Sequence, residues 1–355
     1  MPGTKTEVPA VATSASARII AVAVLFVCLY YASSVVISLI CSILIAAVLE
    51  PGVALMERLR IPRWLGSVLM VLAMLMVAYL VIYGVYDRAV AFFADLPRLV
   101  ARLRQITEHI QVTARNIQRS TNTIMPPSSD ANLPTVRLQQ ESAWTQFLLR
   151  GMGSVYAVTV TVMFIPFLVF FMLTSKYRLW AATLNLFPSE RRQQAEDVIY
   201  GISRMLRQFV LGNALVALIS AGLIAPVFAI VHLHYALLMG ALAAVLSLIP
   251  YIGVALALLP PLLMALLQYD TMQPFVIIAI TVVFVHFLAI NLLTPKLVGH
   301  RVNLNALAVT LAMMFWGWLW GAIGLVLAVP ITAAIKAVCD NIEKLKPYGA
   351  WMGEG

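Results

Sequence analysis

Charged side chains are scarce in this chain of 355 residues. Only 11% of its residues are Asp, Glu, Lys or Arg, whereas 62% are hydrophobic; an average soluble protein is about a quarter charged and about half apolar. A water-soluble fold of this length needs more charge than 24 basic and 15 acidic side chains to cover its surface. The composition therefore excludes a soluble protein and indicates an integral membrane protein whose surroundings are the lipid bilayer.

Cysteines and catalytic motifs are also scarce. The three cysteines, Cys28, Cys41 and Cys339, are odd in number and lack metal-ligand spacing, so neither a disulfide nor a zinc site is expected. The sequence contains no carboxylate pair, no nucleophile beside a base and no phosphate-binding loop. We therefore expect that the protein is not an enzyme, does not hydrolyse ATP and requires no cofactor or metal.

The net charge of +9 raises the question of nucleic-acid binding, and the placement of the cations answers it. Residues 208–295 contain no Lys or Arg and one acid, Asp270. The cations gather instead in the polar segments 50–63 and 175–207, without the aromatic platforms of a nucleic-acid groove. Since Lys and Arg in short loops favour the cytoplasm, both segments are predicted to lie inside, and no nucleic-acid partner is expected.

Seven apolar runs separate the polar segments. A helix needs about 20 residues to cross a bilayer, so these runs predict an all-α, polytopic integral membrane protein. The first run is too long for one ordinary span and too short for two, and also too long for a cleaved signal peptide; one tilted helix and a span plus a shallow hairpin both remain open. The runs cover 19–49, 64–86, 151–173, 209–231, 235–268, 274–294 and 304–335.

One region resembles water-exposed protein, the segment 88–150. One span leads into it and one leads out, so it is predicted to be an extracytoplasmic helical insert. Its heptad stripe is typical of an arm for subunit contacts in a homo-oligomer, or of an amphipathic helix packing on its own neighbour, which we favour. The stripe consists of Leu99, Leu103, Ile106, Ile110, Thr113 and Ile117.

These boundaries divide the chain into segments. The membrane core that carries transport is predicted over 208–337, because its long uncharged stretch contains the broken apolar runs described next. The remaining segments are a cytoplasmic tail 1–18, amino-terminal spans 19–87, the insert 88–150, a span 151–175, a basic cytoplasmic segment 176–207 and a tail 338–355.

Proline and glycine interrupt two of the runs, which predicts broken helices or re-entrant hairpins. In hydrocarbon a broken helix survives only against protein or a water-filled cavity, and two such breaks are typical of transporters. An ordinary proline kink in the first run and an interfacial tryptophan belt in the second are the alternatives. The interrupting residues are Pro250, Gly253, Pro260 and Pro261 in the first run, and Gly317, Gly321, Gly324 and Pro330 in the second.

Two ionisable residues lie in or beside apolar runs. His286 is near the middle of 274–294, and Glu50 closes 19–49. Ionisable groups at membrane depth are candidates for proton or ion coupling because their burial is costly. A neutral histidine bonded to a neighbouring helix is the more common arrangement, and we favour it for His286.

The motifs in the carboxy-terminal half resemble those of the AI-2E family of transporters. They are Ile249-Pro250-Tyr251-Ile252-Gly253, Asn291-Leu292-Leu293-Thr294-Pro295-Lys296-Leu297-Val298-Gly299 and Phe315-Trp316-Gly317-Trp318 with Gly321, Gly324 and Pro330. The resemblance implies a multi-pass protein of the bacterial inner membrane with about eight transmembrane helices, which moves a small solute without ATP hydrolysis. Family members have been connected with export of the quorum-sensing signal autoinducer-2, and others with exchange of sodium or lithium for protons.

One departure from the family bears on the solute. Many members have an acidic residue just before the Asn-x-x-x-Pro element, whereas Leu288, Ala289 and Ile290 precede Asn291 here. This departure argues against cation antiport through a carboxylate at that position, although Glu50 or His286 could substitute. A neutral, hydroxyl-rich solute such as autoinducer-2 suits the uncharged region better.

We therefore expect an autoinducer-2-type exporter that works by alternating access. A sodium or lithium/proton antiporter and a membrane scaffold acting through the insert are the alternatives. The predicted solute path comprises Pro250, Gly253, Pro260, Asn291, Pro295, Gly299, Gly317, Gly321, Gly324 and Pro330.

Overall fold

The computed structural model describes residues 15–124, 163–298 and 304–353, and within these ranges the chain forms helices and no strands. A 3₁₀ turn at Ser189–Arg191 precedes α6, and a π-helical turn at Ala289–Leu293 follows α9. The helices are α1 Ala15–Tyr31, α2 Ser33–Arg58, α3 Arg63–Ile124, α4 Met163–Thr174, α5 Lys176–Leu184, α6 Arg192–Ile230, α7 Ala236–Leu246, α8 Gly253–Gln268, α9 Met272–Leu288, α10 Thr294–Leu297, α11 Ala306–Asn341 and α12 Lys346–Met352.

Five helical stretches in the described ranges are long and apolar enough to cross a membrane. Three shorter apolar helices, α4, α7 and α8, accompany them. The expected all-α, polytopic membrane fold is therefore confirmed. The five stretches are Ser33–Arg58, Arg63–Asp95, Ser189–Ile230, Met272–Leu297 and Ala306–Asn341.

The first apolar run is divided at Ala32, between α1 and α2. The Ala32 N–H closes α1 by donating to the Cys28 carbonyl at 2.8 Å, and the Ala32 carbonyl opens α2 by accepting from the Val36 N–H at 3.0 Å. Only Ala32 separates the two helices, and its φ of −90° and ψ of 16° are close to helical values. The chain therefore does not reverse at Ala32. A shallow hairpin folded at this point is excluded, and the run continues through Pro51 to Arg58.

Helix α3 joins the second span to the insert without a break. It contains 62 residues, which at 1.5 Å per residue corresponds to roughly 90 Å. The predicted boundary between 87 and 88 is therefore a change of polarity along one helix. The stripe from Leu99 to Ile117 lies on this helix, but its side chains are outside the described set, as are residues 125–162 with the first half of the predicted span 151–173.

Two helix groups form the membrane cores. In the amino-terminal group, Ala46 and Val53 of α2 pack with Val71 of α3 and with Val169 of α4. The carboxy-terminal group joins α6 to α9 through an apolar cluster of Ile224, Phe228, Met239, Ala243, Ala257, Met264, Ala265, Ile278 and Val282. Small residues allow the closest approach there, since a Cβ on Gly240 of α7 would meet Ala225 of α6 at 2.8 Å.

Candidate functional site

The first interrupted run folds into a helical hairpin made of α7 and α8. The Gln268 side chain at the end of α8 donates to the His232 carbonyl at 2.6 Å and accepts from the His234 N–H at 2.8 Å. The end of α8 therefore lies beside the start of α7, and the chain must reverse between them, over residues 247–252. With 11 and 16 residues, the two arms are shorter than the about 20 residues of a full crossing, so the hairpin is re-entrant.

Close packing at the tip of this hairpin requires Gly253. A Cβ on Gly253 would lie 2.8 Å from the Ser247 carbonyl oxygen and 2.9 Å from that of Leu246, so the start of α8 rests on the last carbonyls of α7. Tyr251 turns the chain with a φ of 61°, a left-handed conformation that is uncommon outside glycine. The sequence pattern singled out Pro250 and Gly253 but gave no signal for the strain at Tyr251.

The second interrupted run, α11, reverses at Gly321. This residue has φ 63° and ψ −140°, a region of backbone space that is essentially restricted to glycine. The Trp316 indole N–H donates to Thr332 Oγ1 at 3.3 Å, although sixteen residues of straight helix would separate the two by about 24 Å. Residues 306–320 and 322–341 are therefore the arms of a second hairpin.

Glycines let the arms of the second hairpin touch. A Cβ on Gly324 would collide with the Trp316 carbonyl oxygen, and a Cβ on Gly317 would meet Leu325 Cδ2 at 2.7 Å. The two outer ends also meet, since the Asn305 N–H before the first arm donates at 2.9 Å to the Met352 carbonyl, which follows the second arm. The sequence identified the glycines but not their roles. Gly321 reverses the chain, Gly324 lets the second arm approach the Trp316 backbone, and Gly317 leaves room for Leu325.

The two hairpins enter from opposite ends of α6. The outer end of the second hairpin lies at the start of α6, where the Gln194 side chain donates to the Asn341 carbonyl at 2.8 Å. The outer end of the first hairpin lies at the end of α6, where the Tyr269 hydroxyl donates to the Val231 carbonyl at 2.7 Å. The hairpins therefore run in opposite directions along α6.

The facing parts of the hairpins pack in one apolar cluster. Ile249 at the first tip and Trp316 and Trp320 near the second join this cluster, together with Ile37 and Leu44 of α2. Each of these three hairpin side chains is at most 9% exposed. The Tyr251 hydroxyl at the first tip also donates to the Ala306 carbonyl, at the outer end of the second hairpin, at 3.4 Å. The two hairpins therefore lie side by side over part of their length. Because each reversal also ends one helical arm and begins another, it leaves backbone carbonyl and N–H groups without the usual intrahelical partners.

The other residues predicted on the solute path are spread around these hairpins. Pro260 lies within α8 and Pro330 within the second arm of α11, and neither one breaks its helix. Asn291 lies in the π-helical turn, where its side-chain amide donates to the Phe287 carbonyl at 2.9 Å. Pro295 is the second residue of α10, and Gly299 lies outside the described residues. The hairpin residues are thus brought together, whereas Asn291 and Pro295 lie on the adjoining helix.

Glu50 lies in an ion-pair cluster between the carboxy-terminal part of α2 and the start of α3. Its carboxylate accepts from Lys176 Nζ at 2.6 Å and from Arg63 at 3.2 Å, and Arg63 also donates to Glu57 at 2.7 Å and to the Leu173 carbonyl at 2.7 Å. The cluster joins α2, α3 and the α4–α5 junction across up to 126 residues of sequence. Sequence reasoning missed Arg63 and Lys176 as partners of Glu50.

His286, the second predicted coupling residue, lies on α9 and is half-buried. Its Nδ1 atom is buried and has no hydrogen-bond partner within the part of the chain that the structure describes. The favoured expectation of a histidine bonded to a neighbouring helix is therefore not met at this nitrogen. An unpaired, buried ring nitrogen at membrane depth can accept a proton, or a hydrogen bond from a bound solute.

Comparison with known proteins assigns this arrangement to a family. A model described as the AI-2E family transporter matches residues 19–344. The chain belongs to the AI-2E transporter family. Members of this family are membrane transporters of small solutes and are not enzymes, so the expected class of function is confirmed.

Relatives across bacteria match most of the chain. The AI-2 transport protein TqsA of Escherichia coli (strain K12) is 28% identical over 323 residues, which cover 88% of this chain and 87% of TqsA. A candidate transport protein of Haemophilus influenzae is 26% identical and covers 91% of each chain. YueF, a candidate transport protein of Bacillus subtilis (strain 168), is 26% identical over 84% of this chain and 81% of its own.

Proposed function

We propose that this AI-2E transporter exports a small polar solute of the autoinducer-2 type across the bacterial inner membrane, without ATP hydrolysis. The relative TqsA is named as an AI-2 transport protein, and it matches most of the chain. Around the hairpins, residues 208–295 carry a single acid and no Lys or Arg. Such a region suits a neutral solute with several hydroxyl groups, because backbone groups and amides can satisfy it without a charged partner.

The opposed hairpins are the observation that carries this proposal. Two hairpins that enter from opposite ends of α6 and share one apolar cluster provide one gate for each side of the membrane. Separation of the first tip from α11 opens the path to one side, and separation of the second tip opens it to the other. The solute passes between the two hairpins and meets in turn the backbone groups freed at Pro250 and at Gly321, with Asn291 on the adjoining segment after α9.

The sidedness of the transporter follows from its cations. The cluster around Arg63 and Lys176 and the Arg-rich start of α6 lie in the segments predicted to be cytoplasmic. The second hairpin then opens toward the cytoplasm and the first toward the outside, where α3 continues beyond Asp95.

A second candidate, proton coupling at His286, is supported by its unpaired Nδ1. The histidine lies on α9, directly before the π-helical turn that contains Asn291. Protonation there would change the charge of a side chain next to the proposed path and could be linked to opening of a hairpin. Coupling to protons is compatible with a neutral solute.

Transport into reconstituted vesicles tests the proposal. Labelled autoinducer-2 and a pH-sensitive dye are followed together, with and without a sodium gradient. We expect uptake of the label by the native protein and its loss in Gly321→Leu, while Gly222→Leu, whose site has no neighbour within 4 Å, transports normally. Sodium-driven dye signals without movement of label would instead identify an antiporter.

A scaffold acting through the insert makes the opposite prediction. Deletion of residues 98–145 would then abolish function, and substitutions at Pro250, Gly253 or Gly321 would be silent. Normal movement of label by leucine variants at all three positions would refute the proposed path.

A further inference from the structure

A cleft of about 560 Å³ lies apart from the hairpin tips, between α2, α5 and α6. Its floor is the apolar face of α2 around Ile43, Ala46 and Ala47. One side is the short helix α5, none of whose side chains is buried, and the other is a single face of α6. The volume is within the range of about 300–1,000 Å³ that is usual for ligand sites.

Two cations of α6 face this cleft without an anionic partner. Arg204 and Arg207 both line it, and neither forms an ion pair or side-chain hydrogen bond with another described residue. Their spacing of three residues places them on the same face of the helix, about 5–6 Å apart at Cβ. The carboxylate of Glu50 also lines the cleft but is already bonded to Lys176 and Arg63. The other acid that lines the cleft, Glu196, is exposed and lies about two helical turns before Arg204.

The cleft lies at the boundary between hydrocarbon and water. From Arg207 to the end of α6 at Ile230 there are 23 residues, or about 35 Å, close to the thickness of the hydrocarbon core. Glu50 and Lys176 line the cleft and form an ion-pair cluster with Arg63, and the span in α3 begins at Arg63. Trp180, Tyr177 and Tyr200 line the same cleft, and such side chains are enriched at the headgroup level.

The geometry points to a binding site for an anionic phospholipid of the cytoplasmic leaflet. Its phosphate lies between Arg204 and Arg207, and the upper part of an acyl chain packs on Ala46 and Ala47 beneath α5. Charge complementarity selects an anionic headgroup over a zwitterionic one, because the two arginines lack an anion. The apolar floor selects a lipid over a free phosphate ion. Basic pockets between membrane helices bind lipid headgroups for the same reason.

Binding is measured on the full chain purified in detergent, by thermal unfolding with added lipid. Phosphatidylglycerol is compared with phosphatidylcholine and with inorganic phosphate. We expect a saturable rise in the unfolding midpoint with phosphatidylglycerol alone. In the variant Arg204→Gln with Arg207→Gln, the apparent affinity should fall about thirtyfold, since each of the two cations near a lipid surface contributes about 1 kcal/mol. The matched control, Arg178→Gln with Arg191→Gln, removes the same charge outside the cleft and should bind normally.

Two further measurements keep the test decisive. Ala47→Trp fills the apolar floor without changing a charge and should also abolish the rise. Phosphatidylglycerol with brominated acyl chains should quench a component of tryptophan fluorescence that disappears in Trp180→Phe. An equal rise with phosphatidylcholine or inorganic phosphate overturns the proposal, and so does native-like binding by the paired arginine variant or by Ala47→Trp. None of these readouts depends on transport.

Discussion

The Trp316 indole N–H donates a hydrogen bond to Thr332 Oγ1 at 3.3 Å, although sixteen residues separate them along what looks like a single apolar run. Both side chains are buried, at 9% and 8% exposure. A buried indole N–H needs a partner, and a buried hydroxyl does too. The bond therefore fixes how the two arms of α11 lie against each other once the chain has reversed at Gly321.

The first prediction concerns close contact between those arms. Gly324→Ala should destabilise the protein by roughly 3 kcal/mol and abolish transport, because the added Cβ collides with the backbone oxygen of Trp316 and no flexible side chain can yield. Gly222→Ala is the matched control, since its site has no neighbour within 4 Å. Thermal unfolding in detergent and vesicle uptake measure the two effects.

An unchanged unfolding midpoint in Gly324→Ala would mean that the arms do not touch as described. Loss in both variants would point to a general intolerance of the membrane helices to added volume, and would contradict the specific role of Gly324.

The second prediction concerns the tip of the first hairpin. Gly253→Ala places a Cβ 2.8 Å from the Ser247 carbonyl oxygen, closer than real Cβ atoms approach, so α8 must move away from α7. We expect slower uptake with a smaller loss of stability, about 1–2 kcal/mol, because the tip can shift without unpacking the arms. The uptake rate of Gly253→Ala is compared with that of Gly201→Ala, because Gly201 has no neighbour within 4 Å. Equal uptake rates in the two variants would contradict the prediction.

The sequence predicted much of this architecture because proline and glycine act locally. Breaks in the runs 235–268 and 304–335 follow from the residues themselves. The sequence does not show which glycine reverses the chain. Gly317, Gly321 and Gly324 are alike in sequence, and only packing of the arms gives Gly321 its φ of 63°.

The sequence could not predict which distant residues form ion pairs, for a related reason. Glu50 and Lys176 are 126 residues apart, and nothing in the spacing of charges says which cation folds onto which carboxylate. The continuity of α3 through the predicted boundary at 87 was equally hidden, because a change from apolar to polar side chains does not end a helix.

The third prediction concerns the ion-pair cluster. Arg63→Met should cost about 2–3 kcal/mol, because Glu50 and Glu57 lose a shared cation whose side chain is only 10% exposed. Arg98→Met is the comparison, since Arg98 is 82% exposed in its pair with Asp95; such surface pairs contribute about 0.5 kcal/mol. Thermal unfolding of both variants measures the difference, and similar costs would contradict the bridging role of Arg63.

The fourth prediction concerns coupling at His286. If a proton drives export, His286→Gln should retain uptake at equal pH on both sides but lose the acceleration that a pH gradient produces. The glutamine keeps polar atoms at the site and cannot carry the charge. Uptake of labelled solute at several gradients distinguishes the cases. Acceleration equal to that of the native protein would remove His286 from the mechanism without affecting the hairpin gates.

The last prediction concerns the contact between the extramembrane part of α3 and the first hairpin. The Tyr235 hydroxyl donates to Asp95 at 2.8 Å, and this hydrogen bond to the carboxylate, followed by burial, raises the pKa of Tyr235 above its usual value. The bond therefore stabilises the fold fully below the ordinary tyrosine pKa of about 10, and its contribution is lost as pH rises through the higher pKa of the folded protein.

Tyr235→Phe should lower the unfolding midpoint by a constant amount up to about pH 9, and the difference from the native protein should shrink above that. Tyr86→Phe, which removes an exposed hydroxyl on α3, should change nothing at any pH. A difference that persists undiminished at high pH would mean that Tyr235 acts through packing of its ring, and that the bond to Asp95 does not hold α3 to the hairpin.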